Sequence, residues 1–325
     1  MTLLDKHAFA VEVRQMMFAA GDGRHPRRES AELLCEIVFE QLMEIVQRAE
    51  QVLLMAAETR DRGGLDMQHV LFVTVRRNPQ LLVRFARYVR TRDTIRTAAT
   101  AATVAADSQT GQEDSTLNSS VDAQDEHEDT GEDDTDTLVG AVSDQPDSKR
   151  VKLLKDALAE FDVTGELTAL VNGDLKDAIK EKRRKRQSAF ADSLSIEHFQ
   201  QFTEARRVSF CPKTTVATQQ TKKFCDWLFS ERSIQPTASC IELLNFLALE
   251  IVATMMDVAL IVREETTHWQ PPSAREQYGL SRLEDAGKSA VLPCHIREAW
   301  RRLQYQRHTF PLSNERCSQM SLLLM

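Results

Sequence analysis

The chain has 325 residues, with 41 Lys and Arg against 49 Asp and Glu, a net charge of −8 and 42 % apolar residues. This composition is typical of a soluble intracellular protein, and the length allows about two domains. No apolar stretch of signal-peptide length lies near Met1, and the six cysteines show no CxxC or zinc spacing, so we expect neither secretion nor a disulfide framework.

Charge is distributed unevenly along the chain. Residues 97–148 contain 14 Asp and Glu and no Lys or Arg, whereas residues 1–96 have a net charge of +2 and residues 149–325 of +4. Neither excess approaches that of a dedicated DNA-binding protein. Because the acidic segment has few large apolar residues to offset the entropy of ordering, we predict an acidic disordered linker over 97–148.

Helical periodicity predicts a short, a long and a short helix in the first ordered part, residues 1–96. The short helix covers about 7–20 and ends at Gly21-Asp22-Gly23, and the long one covers about 30–59 with Ser30 as its N-cap. A third helix begins after Asp66, and Pro79 opens an additional fourth helix.

After the linker, residues 149–218 read as a partly helical connector that carries a dense basic run. Residues 219–310 then repeat the short–long–short order, with helices predicted over 221–229, 239–265 and from Pro293, and 311–325 form a tail. The apolar stretch Leu243–Val262 contains Asn245, Glu250 and Asp257, so we expect a buried core helix and no membrane contact.

The repeated helix order is that of the histone fold. A long helix that is apolar along its whole length cannot be covered by two short neighbours, so it needs a second copy of the arrangement across it. The sequence therefore predicts an all-α protein with two histone folds in one chain, paired within the molecule and joined by the acidic linker. A four-helix bundle is the alternative, and the unequal helix lengths disfavour it.

Four separated blocks resemble a known family, the double-histone-fold transcription initiation subunits of the SAGA coactivator, the third of the Spt transcription factors. The Leu292-Pro293-Cys294-His295-Ile296-Arg297-Glu298-Ala299-Trp300 block is the most specific. The blocks occur in the family's order, at Asp5–Phe18, Val70–Asn78, Ser209–Trp227 and Leu292–Gln304. The two halves are also similar to the small TFIID histone-fold subunits.

The resemblance implies a non-enzymatic nuclear adaptor without a cofactor. Such a subunit works in a SAGA-type histone acetyltransferase complex, binds the TATA-binding protein and helps deliver it to promoters for initiation by RNA polymerase II. The resemblance places the contact with that partner at Glu250. Asp257, two turns along the helix, extends this to an acidic stripe. We expect Glu250→Lys to weaken partner binding with little change in thermal stability.

Two basic features suggest other roles. The first is a basic run that we interpret as a nuclear-import signal rather than a solvated helix face; it consists of Lys180, Lys182, Arg183, Arg184, Lys185 and Arg186. The predicted fourth helix carries Arg84, Arg87, Arg90, Arg92 and Arg96, which allows weak or indirect nucleic-acid contact. A histone-like DNA-binding protein is therefore the alternative function.

No residue pattern predicts a catalytic, metal or cofactor site. Cys294 and His295 are neighbours, but adjacent residues on a helix point in different directions and no third orienting group accompanies them. The sequence has no HExxH, GxxxxGKS or GxGxxG motif.

Overall fold

The computed structural model describes residues 5–56, 64–75, 78–107, 147–173, 177–212, 218–230, 232–269 and 290–309. The first part contains α1 (Ala10–Ala19), α2 (Arg28–Ala56), α3 (Met67–Val75) and α4 (Pro79–Asp107). Residues 97–107 of the predicted linker are therefore the end of α4, and the predicted disorder of residues 108–146 lies outside the described residues, as do the loop 270–289 and the tail 311–325.

The connector is more helical than the sequence indicated. It contains α5 (Lys149–Ala159), α6 (Glu166–Asn172), α7 (Ala178–Asp192) and α8 (Ile196–Arg206). The last part then repeats the short–long–short order with α9 (Gln219–Phe229), α10 (Ala238–Trp269) and α11 (Pro293–Thr309). Within the described residues no β-strand is present.

The long helices α2 and α10 form the centre of a single core. Leu34, Val38 and Leu42 of α2 are fully buried at helical spacing. Ile251, Met255 and Ala259 of α10 are also fully buried at the same spacing. By length and composition alone α10 could cross a membrane, but 72 % of its most apolar window is buried inside the protein. This burial agrees with the expected core helix.

One junction joins the loop before α3 to the loop before α10. The Leu65 N–H donates to Gln235 O at 2.9 Å and the Thr237 N–H donates to Leu65 O at 3.0 Å, around an isolated parallel bridge between Leu65 and Pro236. Gly64 is required here, because a Cβ would lie 2.8 Å from Gln235 O.

A second junction joins the loop before α2 to the segment before α11. The buried Asp22 carboxylate accepts from the Val291 N–H at 2.7 Å and lies 3.4 Å from Arg263 of α10. Ser30 donates its hydroxyl to Val291 O at 2.7 Å. The short–long–short triplets α1–α3 and α9–α11 therefore make reciprocal loop contacts: each triplet of helices presents both of its loops to the other triplet.

Aromatic packing also joins the two parts. Phe9, just before α1, lies 4.9 Å from Trp227 of α9 and 5.4 Å from Phe210, between ring centroids, and Phe39 of α2 lies 5.2 Å from Trp227. Because these rings belong to one buried cluster, the core is built from both halves of the chain.

The connector covers this core from the side. Helix α5 lies against α3 and α4, α6 lies against α4 and α5, and α8 lies against α1. The contact between α8 and α1 has a small apolar cluster of its own, in which the Phe18 and Phe202 rings meet edge to face at 5.8 Å. The connector therefore contributes to the packed protein rather than merely linking its halves.

Candidate partner-binding site

Glu250 lies on α10 where α4 and α7 converge. Its Oε2 accepts from Arg84 Nη1 of α4 and from Arg183 Nη1 of α7, each at 3.1 Å. The side chain is 15 % exposed. This carboxylate is therefore already engaged by two guanidinium groups from distant parts of the sequence.

Asp257 continues the same face of α10. Its Oδ2 accepts from Arg183 Nε at 2.7 Å, and its Oδ1 accepts from Arg186 Nη2 at 2.6 Å. Between the two carboxylates, the Thr254 hydroxyl accepts from Arg183 Nη2 at 3.2 Å. Arg183 thus spans the space between Glu250 and Asp257 and uses its whole guanidinium to do so.

Asp177 closes the network at the start of α7. Its carboxylate pairs with Arg84 and also accepts from the N–H groups of Ile179 and Lys180, at 3.0 and 3.2 Å, as the N-cap of α7. The same acid therefore caps the basic helix and attaches it to α4.

These groups remain ionised despite their burial. Burial raises the pKa of Glu250, but Arg183 and Arg84 outweigh that effect and hold the pKa below its ordinary value. The balance is the same for the pKa of Asp177, which burial raises and Arg84 lowers further. Burial also opposes the charge of Arg183, yet Glu250 and Asp257 raise its pKa. The network consists of fixed charges of both signs.

A cleft of about 160 Å³ opens beside Glu250. Its lining combines charged groups with an apolar wall, including Arg84, Tyr88, Lys180, Leu249 and Glu250. A neighbouring cleft of about 170 Å³ shares Tyr88 and Leu249 with it and continues towards α1 and α8. Together they form a surface groove along one side of α10 that ends at the ion-pair network.

The structure brings the two predicted functional segments together. Glu250 and Asp257 lie on one face of α10, and two members of the basic run, Arg183 and Arg186, cover them. Lys182, Arg184 and Lys185 remain exposed on α7. Sequence reasoning missed the roles of Arg84, Asp177 and Thr254, because their partners are far away in sequence.

The arginines of α4 also serve the fold. Arg84 belongs to the network, Arg90 donates to Val171 O of α6 at 2.7 Å, and Arg92 donates to Pro212 O at 2.5 Å. Arg92 also lies 3.8 Å from Glu242, which pairs with Arg150 of α5 at 3.0 Å. These side chains attach the connector and are not a free row for phosphate binding.

Of the neighbours Cys294 and His295, only His295 has a role at the start of α11, as a helix cap. His295 Nδ1 accepts from the Leu292 N–H at 3.1 Å, whereas Cys294 is exposed. Cys35, Cys211 and Cys240 are buried free thiols, and burial raises the pKa of Cys35 to about 12. Throughout the described ranges, no group of three His, Cys, Asp or Glu side chains could hold a metal ion.

Comparisons with known proteins agree with this architecture. Residues 7–102 match the family model described as Transcription initiation factor IID, 18kD subunit. The chain is 24 % identical to the SAGA complex subunit SPT3 of Saccharomyces cerevisiae over 93 % of both chains. It is also 32 % identical to Transcription initiation factor TFIID subunit 13 of Dictyostelium discoideum, over 29 % of this chain and 81 % of that protein.

The helix order and these matches together define the class: a helical histone-fold subunit of the transcription machinery. SPT3 is matched over nearly its whole length, including the connector and the second triplet. The chain belongs to the family of SAGA Spt3-like histone-fold subunits, and it is a SAGA/TFIID-type transcription coactivator subunit. The family predicted from the four sequence blocks is thereby confirmed.

Proposed function

We propose that the second triplet is also a histone fold and that the two folds pair within the chain. The folds would comprise residues 1–96 and 219–310, with the linker 97–148 and the connector 149–218 between them. The reciprocal loop junctions support this pairing, since Leu65 meets Pro236 and Asp22 meets Val291 in equivalent positions of the two triplets.

We further propose that the chain acts as a non-enzymatic adaptor in the nucleus. It would bind the TATA-binding protein and help deliver it to promoters for RNA polymerase II. The observation that carries this proposal is the carboxylate pair of α10: Glu250 lines an open groove, and Asp257 lies two turns further along the same helix, paired with Arg183. A fixed carboxylate pair suits a basic partner, because complementary charge steers encounter and sets orientation.

The basic run of α7 is the proposed nuclear-import signal. Its members Lys182, Arg184 and Lys185 are exposed on the folded chain, where Arg184 and Lys185 also pair with Glu181 of the same helix. Arg183 and Arg186 are engaged with α10, so full recognition of the run would require α7 to leave that helix.

Purification of the tagged chain from nuclear extract, followed by direct binding to recombinant TATA-binding protein, tests the proposal. We expect SAGA-type subunits and acetyltransferase activity in the purified complex, none in the isolated chain, and direct binding of the recombinant partner. Absence of both the subunits and the partner would contradict it. Tight duplex-DNA binding with a steep salt dependence by the isolated chain would favour the DNA-binding alternative instead.

A further inference from the structure

The helix that covers the acidic face of α10 is held mainly by charge. Among its fifteen residues, Ala178–Asp192, none is fully buried. The ion pairs of Arg183 and Arg186 with α10 and the Asp177–Arg84 pair attach its first part. A helix attached in this way has little apolar area to expose when it leaves, and its ion pairs can be exchanged for those of another cation.

Two residues, Gln187 and Phe190, attach the end of α7 near α1. Gln187 donates its side-chain amide to Ala19 O at 3.2 Å, and the half-buried Phe190 ring lies 5.8 Å from Phe18 and 5.5 Å from Phe202. These contacts lie beyond the ion pairs, next to α8. They would keep α7 tethered at its C-terminal end while Arg183 and Arg186 detach.

The acidic face of α10 is therefore already occupied by positively charged side chains of α7, which is the charge that a basic partner would bring. Arg183 fills the space between Glu250, Thr254 and Asp257 with its three guanidinium nitrogens. A second cationic group could not make the same contacts while Arg183 is present, because the network already satisfies the carboxylate oxygens that face α7.

We propose that α7 is an autoinhibitory latch: it occupies the acidic face of α10 in the free chain, and the TATA-binding protein binds there by displacing it. This inference rests on the proposed function and adds its regulation. The free chain would bind with an affinity reduced by the fraction of molecules in which the latch is open. Any event that weakens the Arg183 and Arg186 contacts would raise the affinity.

The test compares the latch variant Arg183→Ala/Arg186→Ala with the wild type for binding to recombinant TATA-binding protein at fixed salt. We expect the variant to bind more tightly, by the factor at which the closed latch reduces the affinity; a latch open in about one molecule of ten corresponds to a gain of about tenfold. The control Lys182→Ala/Lys185→Ala removes the same charge from the same helix but no contact with α10. It should bind like the wild type.

Hydrogen exchange of the α7 amides provides a second measurement. Addition of the partner to the wild type should speed exchange over residues 178–186, and in the latch variant exchange should be fast before the partner is added. Should the double variant not fold, the milder Arg186→Ala carries the test, because Arg186 is one-third exposed and Arg183 keeps Glu250 paired.

Each outcome has a distinct meaning. Equal binding by wild type and latch variant, or protection of α7 by the partner, overturns the latch and leaves the proposed function intact. An equal gain in the lysine control also overturns it, since net charge would then explain the effect. If neither form binds the partner, the proposed function fails and the latch fails with it.

Discussion

At the scale of single residues, Glu250 determines how the candidate site must be tested. From the sequence we expected Glu250→Lys to weaken partner binding while thermal stability stayed nearly unchanged. The structure places this side chain between Arg84 and Arg183. A lysine there would put a third positive charge beside two guanidinium groups that have lost a shared carboxylate.

We therefore expect Glu250→Lys to lower the free energy of unfolding by about 3–5 kcal/mol, the typical cost of breaking a buried ion pair. Urea denaturation followed by circular dichroism measures it. Glu264→Lys is the matched control, because Glu264 is an exposed acid on the same helix. If the two variants unfold at the same urea concentration, the network contributes little to stability and the original expectation for Glu250 stands.

Single residues also show which features the sequence could predict and which it could not. Helical periodicity located α2 and α10 because burial repeats every three or four residues along one helix. The partners of Glu250 could not be found in this way, since Arg84 and Arg183 lie 166 and 67 residues away and ion pairing has no periodicity. The resemblance selected Glu250 and Asp257 as an acidic pair, but only the fold places α7 over them.

At the scale of elements, α3 and α11 begin in the same way. His69 Nδ1 accepts from the Asp66 N–H at 3.1 Å, as His295 does from the Leu292 N–H. Each histidine thus occupies the place of the glutamate or glutamine in a capping box. Both helices follow a loop that takes part in a junction between the triplets, so the second triplet repeats the histidine cap of the first.

These two caps predict a dependence of stability on pH. Burial lowers the pKa of both histidines; Asp66 and Glu160 oppose this for His69, and Arg263 adds to it for His295. Because the lowered pKa belongs to the folded state, the unfolded chain takes up protons first as pH falls below about 6.5. The stability that the caps contribute is therefore present above that pH and lost below it.

Unfolding midpoints between pH 7.5 and 5 check this expectation. The double variant His69→Gln/His295→Gln keeps an acceptor that does not titrate, so its stability should match the wild type at pH 7.5 and fall less on acidification. Replacing both with alanine should cost about 1 kcal/mol per cap even at neutral pH. The exposed His25→Gln serves as control, and a wild-type slope equal to that of the glutamine variant would refute the assignment.

At the scale of the whole molecule, the excess negative charge lies in the segment between the two halves and not at the contacts that join them. The segment 97–148 carries 14 acids and no bases, whereas the contacts between the halves are aromatic rings, loop hydrogen bonds and buried ion pairs such as Arg84–Glu250. The division into two ordered parts was readable from composition. Their union in one core was not, because it depends on rings such as Phe9 and Trp227 that are 4.9 Å apart in space and distant in sequence.

A cut within residues 108–146 tests whether the covalent connection is needed for this union. With a protease site inserted there, we expect the two fragments of the cleaved chain to co-elute on size exclusion at micromolar concentration, because the shared core is extensive and apolar. The double variant Phe9→Ala/Trp227→Ala removes the rings at the centre of the contact, each at a cost of about 3–5 kcal/mol, and its fragments should separate. If the wild-type fragments separate under the same conditions, the two halves are independent domains that the chain merely joins, and the proposed pairing of histone folds is wrong.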